Sequence, residues 1–274
     1  MQSAQEIKAR RFQALHQREG LFLIPNPWDA GSARVLEKLG FEALATSSGA
    51  FAGTLGRRDG RVTREEALAY ARAVVEAVDL PVSADLENGF GDAPETVAET
   101  IRLAAEAGLV GGSIEDYTGN KERPLYAVGH ATERVAAAVS AARALPFPFT
   151  LTARAENFFR GVLDLDDTIR RLVSYEKAGA EVLFAPALPD LAAIREVCAA
   201  VSKPVNVLVG SRGAPFTVSQ LAAAGVKRVS VGASFYRAAM TGLIDAACEV
   251  KDKGTFGYLD HSITTPEWNG FMRD

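Results

Sequence analysis

Two carboxylates close a short apolar run, Pro81-Val82-Ser83-Ala84-Asp85-Leu86-Glu87, after which the chain breaks into Asn88-Gly89-Phe90-Gly91. Side chains two apart on a strand share a face, so the spacing predicts Asp85 and Glu87 side by side. Two acids at the end of a buried strand lose water and repel each other. A cation, a proton or a set of donors must compensate them, and a divalent metal is the first expectation. Other polar residues fall at the ends of comparable runs: Thr46-Ser47-Ser48, Glu115-Asp116, and Arg154 with Glu156. Asn206 sits inside a later run, and Asp59 in a long loop. Only oxygen ligands converge in this group, which favours Mg2+ or Mn2+ over Zn2+. Arg154 suits bidentate capture of a carboxylate or phosphoryl group. Ser47, Ser48 and Gly49 offer hydroxyls and approachable N–H groups to a second anionic end. His16, His130 and His261 fall outside the strand ends, and no lysine lies within a strand, which argues against a Schiff-base mechanism.

The elements that must position these residues alternate along the whole chain. A lead helix is predicted over residues 3–19 and a strand over 21–26. Asp29 caps a helix that stops at Gly40, and a second strand runs from Phe41 to Ser48. A glycine-rich loop, Ser47 to Gly53, follows and continues through Gly56 and Asp59-Gly60. Thr63 with Glu66 forms a capping box for a helix to Val78. Strands are then predicted at Val82–Glu87, Gly111–Asp116, Phe149–Glu156, Glu181–Pro186, Val205–Val209 and Arg228–Val231. Helices follow them at Pro94–Ala107, Thr132–Ala144, Asp166–Ala178, Asp190–Val201, Thr217–Ala224 and Ser234–Val250. Leu39-Gly40-Phe41, Ala107-Gly108, Ala178-Gly179-Ala180 and Ala224-Gly225-Val226 each place a C-cap glycine before the next strand. Eight strand–helix units predict an α/β fold, a (β/α)8 TIM barrel, whose chemistry belongs at the C-terminal strand ends. The first turn, Asn26 to Gly31, has no GxGxxG, which argues against an open dinucleotide-binding sheet. Residues 1–274 read as one barrel domain, with 251–274 as an aromatic C-terminal extension expected on a neighbouring subunit or over the barrel's end.

The net charge of −4 and the lack of a basic stripe with interleaved aromatics argue against a nucleic-acid partner. Met1 to Gly20 is charged without an apolar signal core, and no run could span a bilayer, so a cytoplasmic protein without a membrane partner is expected. Cys198 and Cys248, far from any CxxC pattern, read as two buried thiols.

The runs NPWDAGSARVLEKLGF, TSSGAFAGTLGRRDG, DLENGFGDAPETVAET, GGSIED and TARAE, spread between about Phe22 and Val231, resemble the isocitrate lyase/phosphoenolpyruvate mutase superfamily. That resemblance implies a (β/α)8 barrel, a Mg2+ site and 2-oxo carboxylate substrates whose C–C or P–C bonds are made or broken through an enolate-like pyruvate intermediate. It implies Asp85 as the direct metal ligand, with Asp59, Glu87 and Glu115 holding the ion directly or through water. Ser47, Ser48 and Gly49 would bind the oxo-acid carboxylate and oxygen, Arg154 the opposite side of the substrate, and Asn206 would touch it from strand 7. Ser47, Asp59, Glu115 and Arg154 are the catalytic candidates. A homotetramer with exchanged C-terminal helices is also implied.

Departures from the superfamily pattern bear on the substrate. The lyase branches carry a Lys-Lys-Cys-Gly-His type motif after strand 4, whereas this chain has Tyr117 to Pro124 without cysteine. Ala185-Pro186-Ala187 stands where those branches have a glutamate, and Asn120-Lys121 is a loose echo of a mutase lysine–asparagine pair. Glu87 occupies a position where many members have aspartate. Oxaloacetate decarboxylation or a related C–C cleavage is the leading expectation, a P–C bond enzyme the next, and a non-catalytic oxo-acid-binding barrel the third.

Overall fold

The computed structural model describes residues 2–210 and 216–273. The chain opens with helix α1 (Ala4–Gln17), strand β1 (Phe22–Ile24), helix α2 (Ala30–Lys38) and strand β2 (Leu44–Ala45). Helices α3 (Ser48–Thr54) and α4 (Arg64–Ala77) then precede β3 (Val82–Asp85), α5 (Pro94–Glu106), β4 (Gly111–Glu115) and α6 (Val128–Arg143). The second half runs β5 (Thr150–Arg154), α7 (Leu165–Ala178), β6 (Val182–Phe184), α8 (Leu191–Ala200), β7 (Val205–Leu208), α9 (Val218–Ala223) and β8 (Arg228–Ser230). Helices α10 (Ser234–Lys253) and α11 (Thr265–Phe271) finish the chain. All eight strands are parallel, in the order β1-β8-β7-β6-β5-β4-β3-β2, so the first and last strands pair and the expected (β/α)8 barrel forms.

Local chemistry explains why the elements begin and end where they do. Asp29, Thr63, Asp164, Asp190 and Thr217 each accept a hydrogen bond from the backbone N–H three residues on, and a cap of this kind stabilises a helix by about 1 kcal/mol. Gly40, Gly108, Gly179 and Gly225 all take positive φ, as the repeated helix-ending phrase predicts. The lead helix closes the N-terminal end of the barrel, where Phe12, Leu15, Phe22, Ile24 and Val110 form a separate small core. A Cβ on Gly111 would fall 2.9 Å from the Phe12 ring and 2.8 Å from the Thr150 carbonyl, so only glycine lets the helix seat there.

The sheet has one weak seam. Between β1 and β2 a single backbone bond, Ala45 N–H to Pro25 O at 3.1 Å, is joined by the Asn26 side chain. Its Nδ2 donates to Ala45 O and Thr46 O at 3.0 Å each. Its Oδ1 accepts from Val231 and Gly232 N–H at 3.0 and 2.8 Å. One amide therefore does between β1, β2 and the end of β8 what a strand ladder does elsewhere.

Several expectations are corrected. Strand 2 is confined to Leu44–Ala45, and the glycine-rich stretch after it is helix α3, because the Ser47 hydroxyl accepts from Ala50 N–H and caps a turn of small residues. Helix α6 starts at Val128, four residues before the expected Thr132. Cys198, on α8, is half-buried, and Cys248 is exposed, since α10 buries none of its residues and leaves Leu243 and Ile244 in solvent. Apart from these corrections, the segment after α10 lies against α2 in the single chain: a Cβ on Gly31 would sit 3.7 Å from the Trp268 ring, and Arg273 pairs with Glu37 and Asp79. Asp274, the last residue of the expected extension, lies outside the described residues. Among the described residues no helix is long and apolar enough to cross a membrane.

Candidate active site

Strand β3 ends at Asp85, not Glu87. Leu86 turns into the core, Glu87 takes a left-handed φ of 48°, and Gly89 N–H closes the turn on Leu86 O at 2.8 Å. The strand whose period of two would set the acids side by side therefore stops two residues short of Glu87. The acids still meet through the backbone, because Glu87 N–H donates to Asp85 Oδ1 at 3.2 Å. Asp85 Oδ2 accepts from the N–H and the hydroxyl of Ser48 at 3.2 and 2.9 Å, which ties β3 to the first residue of α3. Asp59 reaches the same place from its loop: a Cβ on Gly49 would lie 3.3 Å from its carboxyl carbon, so glycine makes room for the acid. Ser47 spends its hydroxyl on the α3 cap.

Arg154, at the end of β5, faces these acids. Its Nη1 is 3.8 Å from Asp85 Oδ1 and 3.3 Å from Glu115 Oε2, while its Nε binds Glu156. Arg160, which the sequence reading passed over, completes the cluster from the turn after β5. Its Nη2 donates to Glu115 Oε1 at 3.1 Å, and its guanidinium lies 3.6 Å over the Tyr117 ring. Arg160 Nε is 2.8 Å from Glu156 Oε2, but the N–H is not aimed along that line, so the contact is an ion pair rather than a hydrogen bond. Burial and the neighbouring Glu156 push the Glu115 carboxyl well up. Burial works against the charge on Arg154, but Glu156, Glu115 and Asp85 outweigh it and hold the guanidinium charged. Glu87 is pushed up to about 8 by burial and by the charges of Asp85 and Asp59.

Two adjoining cavities open on this cluster. One, of about 160 Å³, is lined by Ser47, Ser48, Gly49, Asp59, Asp85 and Arg154 and descends to Asn206, Arg228 and Ser230. The other, of about 500 Å³, is lined by Asp59, Glu87, Glu115, Lys121, Arg154 and Arg160. Ser48, Asp59 and Arg154 belong to both. Asn206 lies at the floor rather than the mouth, its amide engaged with Ser230 Oγ at 3.0 Å and Arg228 Nε at 2.9 Å. Asp116 turns to Arg171 and Tyr175 and meets the cluster only through Glu156, whose N–H donates to its Oδ1 at 2.8 Å.

Among the described residues no three His, Cys, Asp or Glu side chains are gathered tightly enough to form a closed metal cage. The acids nevertheless fit Mg2+, which keeps several of its waters and takes only one or two protein carboxylates directly. The surplus negative charge that raises Glu87 between Asp85 and Asp59 is what such an ion would offset. Asp85 would hold it directly, and Asp59, Glu87 and Glu115 directly or through its waters.

A parallel eight-stranded barrel with acids, an arginine and hydroxyl donors at the C-terminal ends of its strands is the architecture of a barrel enzyme. The phosphoenolpyruvate phosphomutase family profile matches residues 12–251. The 2-methylisocitrate lyase of Escherichia coli (strain K12) is 32% identical over 237 residues, 84% of this chain and 79% of that protein. The crystal structure of a candidate lyase/mutase from Burkholderia cenocepacia J2315 is 55% identical with a TM-score of 0.97, covering 98% of this chain and 97% of the other. A candidate phosphonomutase from the same organism is 37% identical with a TM-score of 0.82, covering 90% of this chain and 99% of the other. The chain belongs to the phosphoenolpyruvate phosphomutase family, and it is an enzyme of the isocitrate lyase/phosphoenolpyruvate mutase superfamily.

Proposed function

We propose that this enzyme is a Mg2+-dependent lyase that cleaves the C–C bond next to the carbonyl of a small 2-oxo carboxylic acid, with oxaloacetate the first substrate to try. The observation that carries the reading is the meeting of Asp85, the Ser48 N–H and hydroxyl, and the Arg154 guanidinium around one cavity. Mg2+, held as described above, supplies Lewis-acid polarisation of the 2-oxo group. The remaining work falls to the chain's own residues. Arg154, fixed by Glu156 and Glu115, presents its guanidinium to a carboxylate of the substrate. With the Ser48 and Ala50 amides engaged by Asp85 and Ser47, the Gly49 N–H is the first-turn donor of α3 that would receive the other anionic end. Negative charge released when the bond breaks is stabilised by donors that need not reorganise. Absence of the Lys-Lys-Cys-Gly-His cysteine and of the strand-6 glutamate turns the reading away from isocitrate and methylisocitrate cleavage.

A second reading, a phosphonopyruvate-type enzyme acting on a P–C bond, is favoured by the family match and by the 37% identical phosphonomutase candidate. We further propose a homo-oligomer, a tetramer exchanging C-terminal helices, because no residue of α10 is fully buried in its own chain; a cytoplasmic location goes with this reading. The test is a product screen of purified protein with Mg2+ on oxaloacetate, phosphonopyruvate and methylisocitrate. Pyruvate and bicarbonate from oxaloacetate above the metal-only rate are expected. Inorganic phosphate from phosphonopyruvate would favour the second reading, and saturable oxo-acid binding without turnover would reduce the enzyme to a binding barrel.

A further inference from the structure

We propose that Arg134, on helix α6, is a positioning residue for the acid-bearing turn after β3. It acts through the backbone of residues 88–92 and through Tyr126, without touching substrate. Only the kinetic arm of its test rests on the reading above.

The turn needs such a support. Two of its non-glycine residues, Glu87 and Phe90, take left-handed φ of 48° and 61°, a conformation that persists only where the surroundings over-determine it. Beyond Glu87 its carbonyls leave the strand ladder, and each buried one needs a donor. Glu87 O accepts from Glu115 N–H at 2.9 Å, and Gly89 O from the Thr100 hydroxyl at 2.8 Å. Arg134 serves three more: Nη1 donates to Gly91 O and Asp92 O at 2.6 Å each, and Nη2 donates to Asn88 O, with His130 Nε2 also 3.1 Å from Asp92 O.

Arg134 is 1% exposed; among the described residues it makes no ion pair, and Asp92 and Asp116 favour its charge only from beyond contact. A buried guanidinium with no acid partner is costly, so it needs a full set of acceptors. Here those acceptors are the turn itself. The planar fork spans three carbonyls at once, which an ammonium on a flexible stem does less well.

The same guanidinium lies 4.3 Å over the ring of Tyr126, whose hydroxyl binds Asp92 Oδ1. Tyr126 is the last residue of the Tyr117–Tyr126 loop, and at the loop's other end Tyr117 lies under Arg160. Each end of that loop is therefore stacked beneath an arginine that also grips the acid cluster or its turn. Movement at the Tyr126 end is transmitted to the turn that presents Glu87.

The experiment compares Arg134→Met, Arg134→Lys and Tyr126→Phe in the full chain. In metal-free protein, amide hydrogen exchange in residues 86–92 should accelerate at least about tenfold in Arg134→Met, while residues 150–154 keep their protection. Turnover of the accepted oxo acid should fall about 10–100-fold, with the Mg2+ concentration for half-maximal rate rising and KM for the oxo acid little changed. Arg134→Lys should recover part of both effects, and Tyr126→Phe, which keeps the ring, should show a smaller version.

Unchanged exchange in residues 86–92, or acceleration of all peptides together, would overturn the proposal. So would local loosening with unaltered kcat and Mg2+ dependence. If Arg134→Met does not fold, the lysine and phenylalanine variants decide in the same way. If the wild type turns over none of the substrates, the function reading fails while the exchange arm still decides on the clamp.

Discussion

The two ends of the barrel treat buried charge in opposite ways. At the floor, Arg228 is sealed among neutral partners: Asn206 Oδ1 at 2.9 Å, Thr152 Oγ1 at 3.0 Å and His16 Nε2 at 3.2 Å. Burial alone pulls its pKa down to about 9, and burial with the nearby guanidinium pulls His16 down to about 3, so the imidazole stays neutral and can accept. At the mouth, Asp85, Glu87, Asp59, Glu115 and Glu156 gather around Arg154 and Arg160, and negative charge is in excess. The floor is complete in itself, a polar strut between the lead helix and β5, β7 and β8. The mouth is not, and a region whose charge is left to be balanced from outside is where a ligand belongs.

Changes at the mouth should register in binding, and changes at the floor in stability. The largest effect is expected for Asp85→Ala, which should abolish Mg2+-dependent oxo-acid binding by calorimetry; an unaltered affinity would break the contrast. Arg228→Ala should cost about 3–5 kcal/mol in urea unfolding, since it opens a cavity and strips three acceptors of a charged donor. A loss below about 1 kcal/mol would show that the strut carries little.

Glu87→Gln sharpens the comparison through pH. An unfolded glutamate releases its proton near 4.5, whereas folded Glu87 keeps it to about 8. Between those values the folded state binds more protons, so raising the pH costs metal-free wild type stability that the glutamine variant retains. The melting temperature of Glu87→Gln relative to wild type should rise from pH 5 to pH 8 and then level off; a flat difference would refute the assignment. The smallest effect, about 1 kcal/mol, is expected for Ser47→Ala, which removes the α3 cap, and thermal unfolding would measure it.

The barrel was legible because its signals are local. The four C-cap glycines and the capping Asp and Thr residues act within a few positions, and eight repetitions of the pattern leave one architecture. Asp85, Glu115 and Arg154 were legible for the same reason, each closing a strand. Glu87 was placed on the wrong conformation because the turn that bends it is held from α6, some forty residues on. Arg160 was passed over although Glu156, four residues before it, is one of its partners; Tyr117 and Glu115, which bring it to the cluster, come from another strand and loop. The α3 helix was missed because glycine and serine read as loop: the Ser47 cap is as local as the others, but the close approach of Gly49 to Asp59 is a tertiary fact.

The seam at Asn26 sets a timetable. Its bond to Gly232 spans 206 positions, so as the chain leaves the ribosome the first strand waits for almost the whole barrel before its side chain finds those acceptors. Pairings this distant are slow to form, and until they do the edges of β1 and β2 stand open as templates for other chains. Asn26 is thus less a brace for the finished barrel than the clasp that ends its most vulnerable interval.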